Sequence, residues 1–234
     1  MIIRRFKMND LPSVEMQALA SEKLSSEGFV NQFISEFIYN SLSFETHNLS
    51  LDDVSKVIND VQTDLEDKRV LGINNYKNAI LYIIDLARRK EELDENTLKD
   101  IHEILMDEVN VGGLYRNVDI SIQGSNHTPP AHLKVYDRMK KYFDKIEDYN
   151  DDIMAKAAFS LLQLDKIHPF LDGNGKLARM ILNYHLLYNG LAPIVFPHKD
   201  KELYFKYIEE FKINKNMDPF KNYIIKLEKQ SLGL

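Results

Sequence analysis

The chain has 234 residues with 36 acidic against 30 lysine and arginine side chains, a formal net charge of −6, and no basic stripe. That balance excludes a polynucleotide partner and leaves room for a single nucleotide. The absence of cysteine removes disulfides, thiolate catalysis and cysteine-based metal sites. No secretory apolar region opens the chain and no later apolar run approaches membrane-spanning length, so the expectation is a soluble, cytoplasmic protein without a membrane partner.

In chain order, Phe33, Ile34, Phe37, Ile38 and Leu42 recur at helical spacing and predict a helix over about 31–44. Glu45 falls at its end, one turn after Ser41. Ser50 with Asp53 reads as a capping box opening the next helix, and Leu49 can staple to Val54, so Glu45 lies on a short connector between two helices. Further helices are predicted at about 70–88 and 95–108. Between Gly112 and Pro130 the period changes: Val118, Ile120 and Ile122 alternate with polar residues, and Gly124-Ser125-Asn126 is turn chemistry. A small hairpin ending at Pro129-Pro130 is expected there. Helices return at about 131–148, 155–167 and 176–188, the last stopping at Asn189-Gly190, with two more near 200–213 and 217–230, where Pro219 suits a first turn. With no repeat and no low-complexity linker, one compact domain with a helical annex is the simplest organisation.

Chemistry concentrates in His168-Pro-Phe-Leu-Asp172-Gly173-Asn174-Gly175-Lys176-Leu-Ala-Arg179, a loop feeding a helix N-terminus. Unpaired backbone N–H groups and the positive end of the helix dipole suit Gly173-Asn174-Gly175 to an anion, most naturally a phosphate. His168 supplies a base, Asp172 a magnesium ligand, and Lys176 and Arg179 charge for phosphate oxygens. Singly, Asp172 reads as a turn aspartate and His168 as a helix-end histidine; their company favours phosphoryl or nucleotidyl transfer. His47, His102, His132, His185 and His198 are left as structural histidines, and Phe170 is assigned to the core. A zinc site lacks enough nitrogen ligands, and the Walker-type phosphate loop is absent.

These twelve residues closely resemble the signature of the Fic family, H-x-F-x-[DE]-G-N-G-R-x-x-R, with Lys176 where arginine is usual. Gly113-Leu-Tyr115-Arg116-Asn-Val, Ile122 and His127-Thr-Pro129-Pro130 resemble the segment that builds the family's hairpin, the flap. Leu191-Ala-Pro-Ile-Val and the stretch from Tyr204-Phe205 to Asp218-Pro219-Phe220 resemble its C-terminal helices. The resemblance spans roughly residues 30–228. It implies an all-α, Fic-type helical bundle with one small β-hairpin, divided as residues 1–69, an N-terminal helical region, and 70–234, the catalytic core, packed as one unit.

The activity implied is that of a protein adenylyltransferase, moving AMP from ATP to a Ser, Thr or Tyr hydroxyl of an unknown protein target. His168 would be the general base and Asp172 the Mg²⁺ ligand. Gly173, Asn174, Gly175 and Lys176 would hold the nucleotide's phosphates, Asn174 at the α-phosphate, with Arg179 on the outer phosphates and Tyr204 and Phe205 bordering the adenine. Lysine keeps the charge of arginine but loses its planar fork, so weaker nucleotide orientation is expected at Lys176. Ile122 and His127 belong to the flap, whose edge would dock the target main chain to main chain. A homodimer is one arrangement the resemblance allows.

Ser41-Leu-Ser-Phe-Glu45 resembles the family's inhibitory motif, [ST]-x-x-x-E-[GN], with Thr46 at the departing last position. The resemblance implies that Glu45 reaches Arg179 in place of the γ-phosphate and leaves ATP in an unproductive pose. Two alternatives stand beside autoinhibited transfer: a hydrolase that removes AMP using Glu45 to orient water, and a non-catalytic peptide-binding module using the flap edge.

Overall fold

A computed structural model describes residues 14–45 and 49–234, so Thr46 and His47 lie outside the described residues. Among the described residues ten α-helices follow one another: α1 Val14–Leu24, α2 Glu27–Ser43, α3 Leu51–Ile58, α4 Asp67–Arg89, α5 Glu95–Met106, α6 Val135–Ile146, α7 Ile153–Ile167, α8 Asn174–Tyr188, α9 Lys201–Asn214 and α10 Asp218–Leu232. Among the described residues no helix is long and apolar enough to cross a membrane.

Local chemistry explains most boundaries. Ser26 caps α2 by accepting the Phe29 N–H, and Ser50 and Asp53 form the reciprocal box that opens α3. Pro219 occupies the first turn of α10, where a missing N–H costs nothing. The centre is α7 packed along α8. Both are apolar nearly all round, from Met154 to Ile167 and from Leu177 to Leu186, as a helix enclosed by others must be. Around this pair lie α4 and α5 on the α8 side and α6, α9 and α10 on the α7 side. One apolar core runs from Phe33 to Leu227, crossing the boundary expected at residues 69 and 70.

Two features differ from the sequence reading. First, α1 was not foreseen: its apolar positions are few, and tertiary contacts hold it, with Met16 and Ala20 packed on Ala192 and Leu232 and Lys23 donating to the Ser231 carbonyl at 2.7 Å. Second, no strand forms over 111–131, so the predicted flap hairpin is absent among the described residues. A turn survives, with the Ser125 N–H donating to the Ile122 carbonyl at 3.2 Å and Gly124 at φ +80°. The arms bind elsewhere. The Asp119 carboxylate accepts the His132 N–H at 2.7 Å, and Arg116 donates to the Val118 carbonyl at 2.9 Å and the Pro130 carbonyl at 2.5 Å. Pro129 and Pro130 have no N–H to give a ladder. Alternation fitted a strand, but side-chain partners took the backbone groups first.

Beside α1, Glu228 on α10 is fully buried; Oε1 accepts the Ala192 N–H at 3.4 Å and Oε2 has no partner. Burial pushes this carboxyl up to about 7, only partly offset by the Ala192 N–H. A carboxyl raised in the folded state stabilises fully below its unfolded value near 4.5 and loses that contribution as pH rises to about 7. Glu228→Gln is therefore expected to remove the loss of stability between pH 4.5 and pH 8, a change on the order of 1–3 kcal/mol in the pH dependence, as read from thermal melts at both pH values.

Candidate active site

α7 ends at Ile167, and His168 closes it in the left-handed region at φ 52°, its N–H donating to the Leu164 carbonyl at 2.9 Å. The strain of a non-glycine residue there is about 1–2 kcal/mol. Phe170, two residues on, is fully buried, which is worth about 1.5–3 kcal/mol and offsets that cost. Asn174 closes the loop on itself: Oδ1 accepts the Phe170 N–H and Nδ2 donates to the Phe170 carbonyl, both at 2.9 Å.

The twist at His168 fixes its tautomer. Nδ1 stands 3.3 Å from the Asp165 carbonyl, which can only accept, so Nδ1 carries the proton and Nε2 keeps its lone pair. Burial holds the imidazole below its ordinary value, Asp165 opposes this, and the Lys212 and Arg116 charges add to it. A neutral imidazole with a free Nε2 is a base in its working form at neutral pH.

Beyond the loop, α8 starts at Asn174 with Gly173 as its cap at φ 72° and no side chain on its first N–H groups. These uncapped donors suit an anion. The Asn174 amide, expected at an α-phosphate, is instead committed to both backbone groups of Phe170, which leaves the backbone N–H groups of this turn as the uncapped donors. Asp172 is exposed, with Oδ1 accepting the Gly173 N–H at 2.6 Å. Among the described residues no group of three or more His, Asp or Glu side chains is arranged for a metal. One carboxylate beside a phosphate site nevertheless fits magnesium, which keeps waters and takes its other ligands from phosphate.

A cleft of about 350 Å³ opens over this turn, lined by His168, Gly175, Arg179, Glu45, Ile122 and Phe205 among others. That volume lies in the range of small-ligand sites. Phe205 is partly exposed, and its ring lies 5.3 Å from that of buried Tyr204 and 6.0 Å from that of Phe44. A larger groove of about 480 Å³ lies between α2, α10 and residues 193–199, but it holds no histidine and no uncapped helix start.

The partner of Glu45 is a correction. The sequence reading paired it with Arg179; in the structure its Oε2 bonds Lys176 Nζ. Arg179 is 3 % exposed and is taken by α2 instead, with Nε donating to Ser41 Oγ at 2.5 Å and a guanidinium nitrogen donating to the Ser41 carbonyl at 3.3 Å. Tyr76 shares the Ser41 hydroxyl at 2.5 Å, and the Phe44 ring stands 5.2 Å from the guanidinium carbon. Burial opposes the Arg179 charge, yet Tyr76, Tyr204 and Glu45 outweigh it and raise its proton affinity. Lys176 lies one turn before Arg179 on α8, and with Arg179 held by Ser41 it is Lys176 that meets Glu45.

Two residues outside the twelve hold the loop. His102, read as merely structural, accepts the Gly113 N–H at Nδ1 (3.0 Å), so its Nε2 carries the proton and donates to the Asp172 carbonyl at 2.9 Å. Its ring stacks on Phe170 at 3.7 Å. Nothing in the local sequence links positions 102 and 172. Arg116 is buried and donates from Nε to the His168 carbonyl at 2.9 Å, while its own N–H bonds the Pro169 carbonyl at 2.8 Å. Its place in the segment Gly113-Leu-Tyr115-Arg116 was the available signal. The flap residue His127 reaches the same region, its Nε2 donating to the Lys166 carbonyl at 3.1 Å.

The sequence profile of the Fic/DOC family matches residues 92–186. The chain is 24% identical over 215 residues to "Protein adenylyltransferase Fic" of Nematostella vectensis, covering 87% of this chain and 48% of that one. It is 24% identical over 210 residues to "Protein adenylyltransferase fic-1" of Caenorhabditis elegans, covering 84% and 40%. The chain thus spans about half the length, or less, of these curated relatives. Among solved structures, a Fic domain containing signaling protein from Bacteroides thetaiotaomicron superposes with a TM-score of 0.80 at 20% identity, covering 94% of this chain and 93% of that one. Fic-1 of C. elegans gives 0.78 at 18% identity, covering 94% and 69%. The all-helical architecture is therefore that of Fic-domain proteins.

Proposed function

Because residues 92–186 form a Fic/DOC family domain, we propose that this chain transfers AMP from ATP to a Ser, Thr or Tyr hydroxyl of a protein target. The observation that carries the reading is the neutral His168 imidazole, with Nδ1 tied to the Asp165 carbonyl and Nε2 free, in one cleft with the uncapped start of α8. The hydroxyl oxygen attacks the α-phosphorus and its proton passes to His168 Nε2. The new O–P bond forms as the bond to the bridging oxygen breaks, and pyrophosphate leaves. Backbone N–H groups at Asn174 and Gly175 stabilise the charge on the α-phosphate, and preorganised donors of this kind supply most of the rate in phosphoryl chemistry. Asp172 would hold Mg²⁺, which neutralises phosphate charge when bound. The rim of Tyr204 and Phe205 would flank the base. The flap turn at Ile122 and His127 would receive a target segment through its unladdered backbone.

Glu45 acts as a brake in this reading, through Lys176. While the pair stands, Lys176 is withheld from the phosphates, and α2 keeps Arg179 on Ser41. The Lys176–Glu45 pair is partly exposed, and exposed pairs typically measure about 0.2–1 kcal/mol, so its electrostatic hold amounts to roughly a 1.4–5-fold effect. Glu45→Gly is expected to raise AMP transfer by at least that factor, read by mass spectrometry of the protein and a lysate after incubation with ATP and Mg²⁺. If Glu45→Gly binds ATP and no protein gains AMP, the transferase reading is wrong.

A second reading uses the same carboxylate. Glu45 lines the cleft with His168, where it can orient a water to remove AMP from a modified target. Supplying an AMP-modified protein separates the two, since hydrolysis needs Glu45 and transfer is hindered by it.

A further inference from the structure

Three side chains outside the signature form a chain of contacts under the flap turn. Glu209 on α9 holds the tip: Oε1 accepts the Ser125 hydroxyl at 2.5 Å and Oε2 accepts the Asn126 N–H at 3.0 Å. One turn along α9, Lys212 Nζ lies 3.4 Å from Glu209 Oε1 and 2.8 Å from Asp165 Oδ2. Asp165 sits in the last turn of α7, and its backbone carbonyl accepts the His168 Nδ1 proton. The Lys212 side chain is 4% exposed and that of Asp165 13%.

We propose that Glu209 and Lys212 are positioning residues that latch the flap tip to the turn of α7 bearing His168, fixing the target-receiving edge relative to the base. This rests on the transfer reading above. The cost of the arrangement argues for a role beyond cohesion. Removing a lysine and a carboxylate from water is expensive, and a well-packed apolar pair is often as stable, so cohesion alone does not account for the pair, and in some proteins such pairs fix a geometry. Here the pair joins two elements that must be in register. Ile122 and Ser125 share the cleft wall with Asp165, Glu209 and Lys212, and an error of about 1 Å between reacting groups costs on the order of 100-fold in rate.

Glu209 is also charged for the task. Burial alone would raise its carboxyl, but Ser125, the Asn126 N–H and Lys212 outweigh burial and lower it, so it stays ionised at neutral pH. A charged acceptor on a backbone N–H is the stronger kind of hydrogen bond. His127 adds a neighbouring anchor: its N–H bonds Ser125 Oγ at 3.2 Å and its ring bonds the Lys166 carbonyl, one residue from Asp165. The turn is thereby referred to residues 165 and 166 by two routes, one through Glu209 and Lys212 on α9 and one through His127.

The test uses the full chain without nucleotide or target, by amide hydrogen exchange of residues 122–127 and by NMR titration of His168. In Glu209→Gln and Lys212→Met, exchange across the turn is expected to rise about ten-fold, with Lys212→Arg recovering most of the protection. His168 should titrate higher in Lys212→Met, where a nearby positive charge is lost and Asp165 is left unpaired. In a Glu45→Gly background, Glu209→Gln should raise KM for the most strongly labelled lysate protein and leave KM for ATP unchanged. Exchange within about two-fold of the parent in Glu209→Gln, a variant that keeps the side-chain shape, overturns the latch. Faster exchange with unaltered KM for that protein overturns the positioning role. If the Glu45→Gly chain labels nothing, the transfer reading fails, while exchange and titration still decide the latch.

Discussion

Replacing His168 with alanine is expected to lower AMP transfer by about 10²–10⁴-fold, the usual worth of a positioned general base, with the fold intact. The imidazole is half-buried at the cleft and makes one hydrogen bond, to the Asp165 carbonyl, which water can replace. The left-handed backbone at residue 168 is set by Phe170 burial and by Arg116, neither of which the substitution touches. Loss of rate without loss of melting temperature is therefore the signature. The pH profile adds a check. Burial holds the His168 value below 6.5, and only the neutral form accepts a proton, so the rate should climb with pH through a value under 6.5 and be level by neutrality. A limb rising above pH 7 would assign the base to another group.

The second large effect concerns Gly173. Its φ is +72°, and a Cβ there would sit 2.7 Å from Met106 Sδ and 3.2 Å from His102 Nε2. Gly173→Ala is expected to cost about 2–5 kcal/mol, combining a left-handed alanine with overpacking, at about 2–4 °C of melting temperature per kcal/mol. Gly124→Ala is the control, since Gly124 also has positive φ, at +80°, but a Cβ there meets nothing within 4 Å. It pays the backbone cost alone, so the difference between the two melts measures the packing of His102 and Met106 against the loop. Equal melts would mean that these side chains give way freely.

What could be read in the sequence was what neighbours in sequence decide. The twelve-residue stretch stands between two apolar helices, and its glycine turn feeding a helix start is a consequence of local spacing, whereas the left-handed backbone at His168 also depends on the distant Arg116. The capping box at Ser50 and Asp53 is of the same kind. Where partners are distant, the reading ran out. Lys176 and Arg179 are one turn apart on α8, and which of them meets Glu45 depends on how α2 crosses; Ser41 arrives at Arg179 first. His102 serves the Asp172 carbonyl across seventy positions, with a tautomer fixed by Gly113. The flap failed as a hairpin for a related reason: Val118, Ile120 and Ile122 alternate properly, but Asp119 and Arg116 engage the backbone across the arms before a ladder can.

Arg116 also has a consequence for the chain's history. By joining the Pro130 carbonyl to its own position, fourteen residues away, it closes a loop at the base much as a crosslink would, and leaves the tip beyond it free of the closure. The entropy of such a ring grows only with the logarithm of its length, about 0.6 kcal/mol for a doubling. Residues added at Gly124 therefore enlarge a ring already closed at its base, and the cost they meet lies chiefly in the Glu209 bonds to Ser125 and Asn126, while the stem keeps its grip on His168. A protein built this way can change which surfaces it reaches by altering the length of one loop, without rebuilding the chemistry beneath it.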